Sequence, residues 1–503
     1  MPSLLAALLL TRGTFKSVDV LENVRKAIGN PSVEQPWTET VLSGAAVFNG
    51  LDSRYTLQFS SIGKFYELIQ GELGQTYGFD GHTYWQIDRS GATRRLSFED
   101  VDRVQALILI LTDRWLNPDA QVNATVEPFG PNDTEYRIHF KPPKGDFYEY
   151  VTVDPKTWLP QTAEFVIGGS KTTVYLADWH NAGSVKLPFT TRIKSEGLTD
   201  TIHVESVSDT SELRSSIYTM PELGPTDSAY DSAVPALVET KRAASGHVLV
   251  HPRVNGKEVG WFILDSGAES MVIDPGVADK LNLPKVGKES VMGVGGPVQE
   301  PFRIADSFLL GPASMQKVTF VEIDLHELSS IFKVKLAGIV GYDFFRRFII
   351  QLDLSKPSVE VNNVTDFRLP SGTWSKILFS SGNPAVQASF EGDHQAWFRL
   401  DTGANGTVTF HAPAVARLHL LDGRETTEAS MAGVGGKTDA RFGRLAWFEL
   451  GGHRFEKLDA VFSLATTGAF ADGYLVGNIG QDLMEPFTVV FDFGGSRVAF
   501  LPH

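Results

Sequence analysis

Two carboxylates at matching positions dominate the chemistry this sequence can offer. Trp261-Phe262-Ile263-Leu264-Asp265-Ser266-Gly267-Ala268 is echoed by Trp397-Phe398-Arg399-Leu400-Asp401-Thr402-Gly403-Ala404, 136 residues later (401 − 265). Two carboxyls held close together cannot both ionise comfortably, so one proton is shared between them. Such a pair can take a proton from water, give one to a carbonyl oxygen and later give one to the leaving nitrogen. That is what hydrolysis of a peptide bond without a metal or a covalent intermediate needs. Asp265 and Asp401 are therefore the candidate catalytic residues, one as general base and the other as general acid, with no cofactor and no metal expected. Gly267 and Gly403 leave room for close backbone approach. The hydroxyls of Ser266 and Thr402 are read as supports that bond across to the opposite loop, not as nucleophiles. The plain alternative is that both Asp residues merely cap tight turns, and the duplicated context argues against it.

The duplication runs well beyond the Asp motifs. Gly246 precedes Asp265 by the same interval as Gly382 precedes Asp401. Gly293-Val294-Gly295-Gly296 returns as Gly433-Val434-Gly435-Gly436, and Phe308-Leu309-Leu310-Gly311 returns as Phe448-Glu449-Leu450-Gly451, both shifted by 140 (433 − 293). Gly338-Ile339-Val340-Gly341 corresponds to Gly477-Asn478-Ile479-Gly480, and each runs on to an apolar strand ending at Asp353 or Asp492. A repeat of this length is a domain. Within each copy the Asp motif follows an apolar strand, and Pro275 or Pro413 marks the first turn of a short helix. The glycine-rich segments accept positive φ and suit hairpin tips. Gly293, Gly295, Gly296, Gly433, Gly435 and Gly436 are thus read as two flaps.

These residues resemble the retropepsin-like and pepsin-like aspartic proteases, most closely the bacterial retropepsin-like group. The similarity rests on both Asp-Ser/Thr-Gly-Ala motifs, the Gly-Val-Gly-Gly segments and the Ile339-Val340-Gly341 and Asn478-Ile479-Gly480 turns, and covers roughly residues 246 to 503. It implies one Asp from each lobe, flaps that close over a polypeptide substrate, and endopeptidase activity. The pattern departs in three places. No Tyr stands in either flap, Asn478 replaces the apolar Ile339, and Arg399 lies two residues before Asp401. A salt-bridge role for Arg399 competes with a role in tuning the dyad.

The remaining sequence must position these lobes. With 503 residues, and about 150 residues as a soft prior per domain, the chain suggests three domains. We expect an N-terminal domain over 1–213, a Pro/Gly/Ser-containing linker over 214–245, and lobes over 246–366 and 367–503. Residues 35 to 210 alternate apolar and polar positions between turn residues, as in Tyr55–Phe59 and Tyr136–Phe140, which reads as antiparallel sheet. Phe98 to Leu116 instead has helical spacing. Gly78-Phe79-Asp80-Gly81 with Trp85, Val153-Asp154-Pro155, and Asp178-Trp179 followed by Leu187-Pro188-Phe189 resemble the outer-membrane lipoprotein carriers, half-barrels that hold acyl chains. The fold class expected is thus mainly β, with two tandem retropepsin-like β-barrel lobes after an α+β half-barrel-like antiparallel sheet domain. The resemblance implies a lipid or lipoprotein ligand for the first domain. It also frames the alternative function, a carrier whose protease-like lobes are catalytically silent peptide binders.

Composition narrows the classes. A net charge of −15 disfavours nucleic acid as a partner. No segment offers the roughly 18 apolar residues of a membrane-spanning helix. With no cysteine in the chain, thiolate nucleophiles and thiolate metal sites are excluded. His-Glu-x-x-His and Gly-x-Ser-x-Gly motifs are missing, and His247, His251, His411 and His419 read as surface or turn residues. The short apolar run Leu4–Leu10 is a remnant of an export signal or a first helix, and a periplasmic or secreted location is the expectation. A monomer with an intramolecular pseudo-dimer is expected, because the connection near 366–376 keeps the lobes at high effective concentration.

Overall fold

The computed structural model describes residues 17–29, 39–116, 123–131, 134–142, 145, 147–182, 185–210, 215–433 and 436–503. Leu4–Leu10, Val434 and Gly435 lie outside these residues. Among the described residues β structure prevails, in three sheets of 13, 11 and 14 strands.

The first sheet is antiparallel and takes its strands from between Glu39 and Thr210, with Leu198–Thr210 at its centre, hydrogen-bonded to Glu39–Phe48 on one side and Val185–Ser195 on the other. Two helices cover it, Ser17–Ile28 and Glu99–Leu111. Val20, Val24 and Ile28 of the first and Ala106 and Ile108 to Leu111 of the second join the sheet's buried residues in one core. The second helix is shorter than the spacing over Phe98–Leu116 suggests. Thr112 turns its hydroxyl back onto Ile108 O (2.6 Å) and Asp113 takes φ +50°, so the chain leaves the helix and resumes as a 3-10 turn over Arg114–Leu116.

The two repeats are built alike. In the first, strand Trp261–Leu264 runs parallel to Leu336–Val340; in the second, His394–Leu400 runs parallel to Gly477–Ile479. Phe262 packs edge-on against Phe308 at 6.0 Å, and Phe398 against Phe448 at 5.2 Å, so the duplicated sequence produces a duplicated aromatic core. Lobe cores merge at the back. Strand Ile349–Asp353 pairs with Phe487–Asp492, placing a strand of the first copy in the sheet of the second.

Segment 214–245 is more than a linker. Ser228–Tyr230 adds to strand Ala313–Glu322, and Thr240–Arg242 adds to Val248–Val250. Its Pro and Gly residues confine it to short edge pieces, which is why composition alone suggests irregular chain.

The first domain is seated on both lobes. Arg346 donates to Thr93 O (2.6 Å), Tyr474 to Asp102 Oδ2 (2.6 Å), and Lys288 N to Asn49 O (2.8 Å).

Candidate active site

Each Asp leaves its strand at the same structural point. Asp265 N donates to Val340 O (3.0 Å) and Asp401 N to Ile479 O (2.9 Å), so the parallel neighbour strand fixes where each carboxyl emerges. Within each turn the carboxyl is oriented locally: Gly267 N donates to Asp265 Oδ1 (2.8 Å), and Gly403 N to Asp401 Oδ1 (2.9 Å).

Ser266 and Thr402 bind the two turns to each other. Ser266 Oγ donates to Leu400 O (2.7 Å) while accepting from Thr402 N (3.0 Å). Thr402 Oγ1 donates to Leu264 O (2.9 Å) while accepting from Ser266 N (2.9 Å). Each hydroxyl therefore uses its donor and an acceptor site on the opposite lobe. Both residues are buried, so their bonds hold the lobes in one register.

This grip sets the carboxyls face to face. A Cβ added at Gly267 would lie 2.5 Å from Asp401 Cγ, and one at Gly403 would strike Asp265, so glycine is required on both sides. Each carboxyl lies in the field of the other. Burial, and then the charge of Asp401, push the Asp265 carboxyl well above the ordinary carboxylate range. Asp401 is also raised by burial, but Arg399 opposes the rise more than any other group.

The second lobe adds a polar chain absent from the first. Asn478 Nδ2 donates to Asp401 Oδ2 (3.1 Å), and its Oδ1 meets His411 Nε2 at 2.9 Å. His411 is fully buried, its Nδ1 3.6 Å from Asp472 Oδ2. At the equivalent place beside Asp265 stands Ile339, apolar and buried. Arg399 is two residues before Asp401 and pairs across the sheet with Asn478. Among the described residues no carboxylate comes within ion-pair distance of it, and its charge acts on both Asp401 and Glu269. His411 was read as surface or turn, and so was His247, which is also buried and whose Nε2 meets Gly403 O at 3.0 Å.

Two hairpins roof a cavity of about 590 Å³ that holds both Asp residues. Lys285–Gly293 pairs with Gly296–Leu310, and Thr427–Gly433 with Gly436–Arg444. Gly293 faces Gly296 and Gly433 faces Gly436 across the turns. Positive φ falls on Gly296 and Gly436, both +126°, and not on Gly295, where the tip was expected to need it. Gly435 lies outside the described residues. The tips meet: a Cβ on Gly433 would lie 2.6 Å from Val294 Cγ2. Gly433→Val should therefore prop the flaps apart and lower turnover about tenfold or more, while a thermal melt shifts little, because flap closure completes such sites. Full activity in that variant would show that the tips need not meet.

Residues 250–344 and 386–483 match the aspartyl protease family model. The two matches fall within the two lobes, and each includes one of the Asp residues. Among solved structures, a LolA superfamily protein from Nitrosomonas europaea is 14% identical, with 41% of this chain and 98% of that one covered and a TM-score of 0.29. A DUF1329 family protein from Desulfovibrio piger is 10% identical, with the same coverages and TM-score. A retropepsin-like aspartic protease from Rickettsia conorii is 17% identical, covering 23% of this chain and 79% of that one, with a TM-score of 0.18. No curated protein matches.

Proposed function

We propose that this chain is an aspartic endopeptidase in which Asp401 is the base and Asp265 the acid. The single observation that carries the reading is the reciprocal grip of Ser266 and Thr402, which holds two half-buried carboxyls against each other beneath two flaps. Asp401 is the carboxylate of the pair because it receives the Asn478 amide and lies in the field of Arg399, both of which favour the charged form. Asp265 has the apolar side and keeps the proton.

Chemistry follows from that asymmetry. Asp401 takes a proton from a water molecule seated between the carboxyls as its oxygen attacks the scissile carbonyl carbon. Asp265 gives its proton to the carbonyl oxygen, so a neutral gem-diol forms. Asp401, now protonated, protonates the nitrogen; Asp265 recovers a proton from a diol hydroxyl, and the C–N bond breaks to leave a carboxyl and an amine. Binding should therefore favour the hydrated intermediate over the substrate.

Incubation with an unstructured protein tests the reading, alongside a peptide carrying a hydroxyl-bearing tetrahedral carbon in place of the scissile carbonyl. Fragments, and inhibition by that analogue far exceeding binding of the parent peptide, are expected. An intact protein mixture, with lipid copurifying, would favour the carrier instead.

The dyad works only with one proton. Activity should fall at low pH as Asp401 gains a proton, and at high pH as Asp265 loses its own, giving a bell. Both groups are raised, so the optimum lies above about 4, where isolated carboxyls titrate. Asn478→Leu removes a donor to the charged form of Asp401 and should move the acid limb to higher pH. A pH–rate profile of kcat/KM checks both statements; an unmoved acid limb removes Asn478 from the assignment.

A further inference from the structure

The cavity over the dyad is walled partly by the N-terminal domain, which contributes Glu99 and Arg103 from the start of the helix Glu99–Leu111. Glu99 is only 5% exposed. Its Oε1 accepts from Ser380 Oγ (2.6 Å) and Ser381 Oγ (2.9 Å), which anchors the helix on the second lobe. Its Oε2 is buried without a hydrogen-bond partner. A structural anchor alone would not leave half of a buried carboxyl unsatisfied, since a buried polar oxygen without a partner costs more than a bond to it returns.

The same corner holds further acceptors in that state. Asn383, 1% exposed, gives its amide to Glu269 Oε1 (3.1 Å), and its Oδ1 has no partner. Glu289, on the flap strand of the first lobe, has an unpartnered Oε2 although its other oxygen is 3.8 Å from Arg89. Glu269 lies in the fields of Arg399 and Arg103 and, after them, of Glu289 and Glu99, so these groups share one neighbourhood in which carboxyls outnumber the two guanidiniums. Besides these three acceptors the cavity wall leaves Ser290 Oγ unpaired, a hydroxyl that can accept as well as donate, and one guanidinium nitrogen, Arg399 Nε, whose charge acts on Asp401 and on Glu269. Arg103 gives Nη1 to Ser381 Oγ (3.3 Å), and none of its nitrogens is left buried and unpaired. On the first-lobe side the wall changes character, with Ile263, Ile339 and Phe332 buried and apolar.

We propose that the corner formed by Glu99, Asn383 and Glu289 is a side-chain subsite for Lys or Arg of the substrate polypeptide, with Glu99 of the N-terminal domain selecting it. An ammonium or guanidinium supplies several donors on a long apolar stem, which matches orphaned oxygens at the end of a cleft. The first domain thus belongs to the substrate site, and the preferred substrate carries a basic residue near the scissile bond with an apolar residue across it. This rests on the peptidase reading above.

The test is digestion of a random peptide library by the full chain, followed by kinetics on one cleaved sequence in Lys and norleucine versions. The expected result is enrichment of Lys or Arg at one position near the cut. In Glu99→Gln, which keeps acceptors for Ser380 and Ser381, the Lys-to-norleucine ratio of kcat/KM should fall about tenfold or more, the scale of a lost charge-assisted hydrogen bond. Cleavage with no basic preference, enrichment of acidic residues, or a ratio unchanged in Glu99→Gln overturns the subsite alone. No cleavage of any library member overturns the peptidase reading, and this one with it. The library digest needs no variant, so a misfolded Glu99→Gln would not shelter the proposal.

Discussion

Asp265→Asn and Asp401→Asn should each abolish cleavage, with kcat/KM falling by about 10⁴-fold or more, because residues that act as a unit fail together. The reason lies in the crossing bonds. Ser266 N reaches Thr402 Oγ1 and Thr402 N reaches Ser266 Oγ within one chain, so each molecule assembles a single dyad from two different loops. Asparagine keeps the shape and the acceptor of Asp but cannot exchange a proton with water. Mixing the two singly substituted proteins should restore nothing, since every site then retains one damaged member. If each lobe paired instead with its counterpart in a second chain, either variant would keep one intact site. Substantial activity in either single variant, measured where the parent is monomeric, would overturn the intramolecular site.

How much of this was legible depended on whether a residue belonged to the internal repeat. The Asp motifs, the glycines behind them and the paired flap segments recur in register, and the structure places Asp265, Ser266, Gly267, Asp401, Thr402 and Gly403 in one constellation. The residues that break the symmetry were harder. Asn478 was visible as a departure from Ile339, but its link to His411 spans 67 positions in the chain, and nothing local marks a histidine as buried. The useful signal was the departure itself: where one copy of a duplicated site turns polar, the two carboxyls cease to be equivalent. Glu99 carried no signal. Its contact with Ser380 joins positions 281 apart and arises only when the first domain docks. The strands within 214–245 were hidden for a different reason: they are three-residue edge pieces set in a stretch with the Pro and Ser content of a linker, and they depend on a neighbouring sheet for their bonds.

Gly267→Ala should be severely damaging, although it removes no functional group. The added Cβ would sit 2.5 Å from Asp401 Cγ, whereas non-bonded carbons settle at about 3.5–4.0 Å. Something must yield by about 1 Å. The backbone cannot do so cheaply: Gly267 N is tied to Asp265 Oδ1, and Ser266 beside it makes three bonds to the opposite lobe. The Asp401 carboxyl is freer, being held from the side by Asn478 and by its own turn. It should swing away, separating the dyad and unseating the water between the carboxyls. Misplacement by about 1 Å can cost 10²-fold in rate, and loss of the shared proton adds to it, so kcat/KM is expected to drop by more than about 10²-fold. Affinity for the hydroxyl-bearing inhibitor should fall in parallel, because that ligand reads the distance between the carboxyls. Gly224→Ala is the fitting control, since a Cβ there meets nothing within 4 Å and its φ is not positive. An active Gly267→Ala protein with unchanged inhibitor affinity would mean that the two carboxyls do not face each other across that glycine.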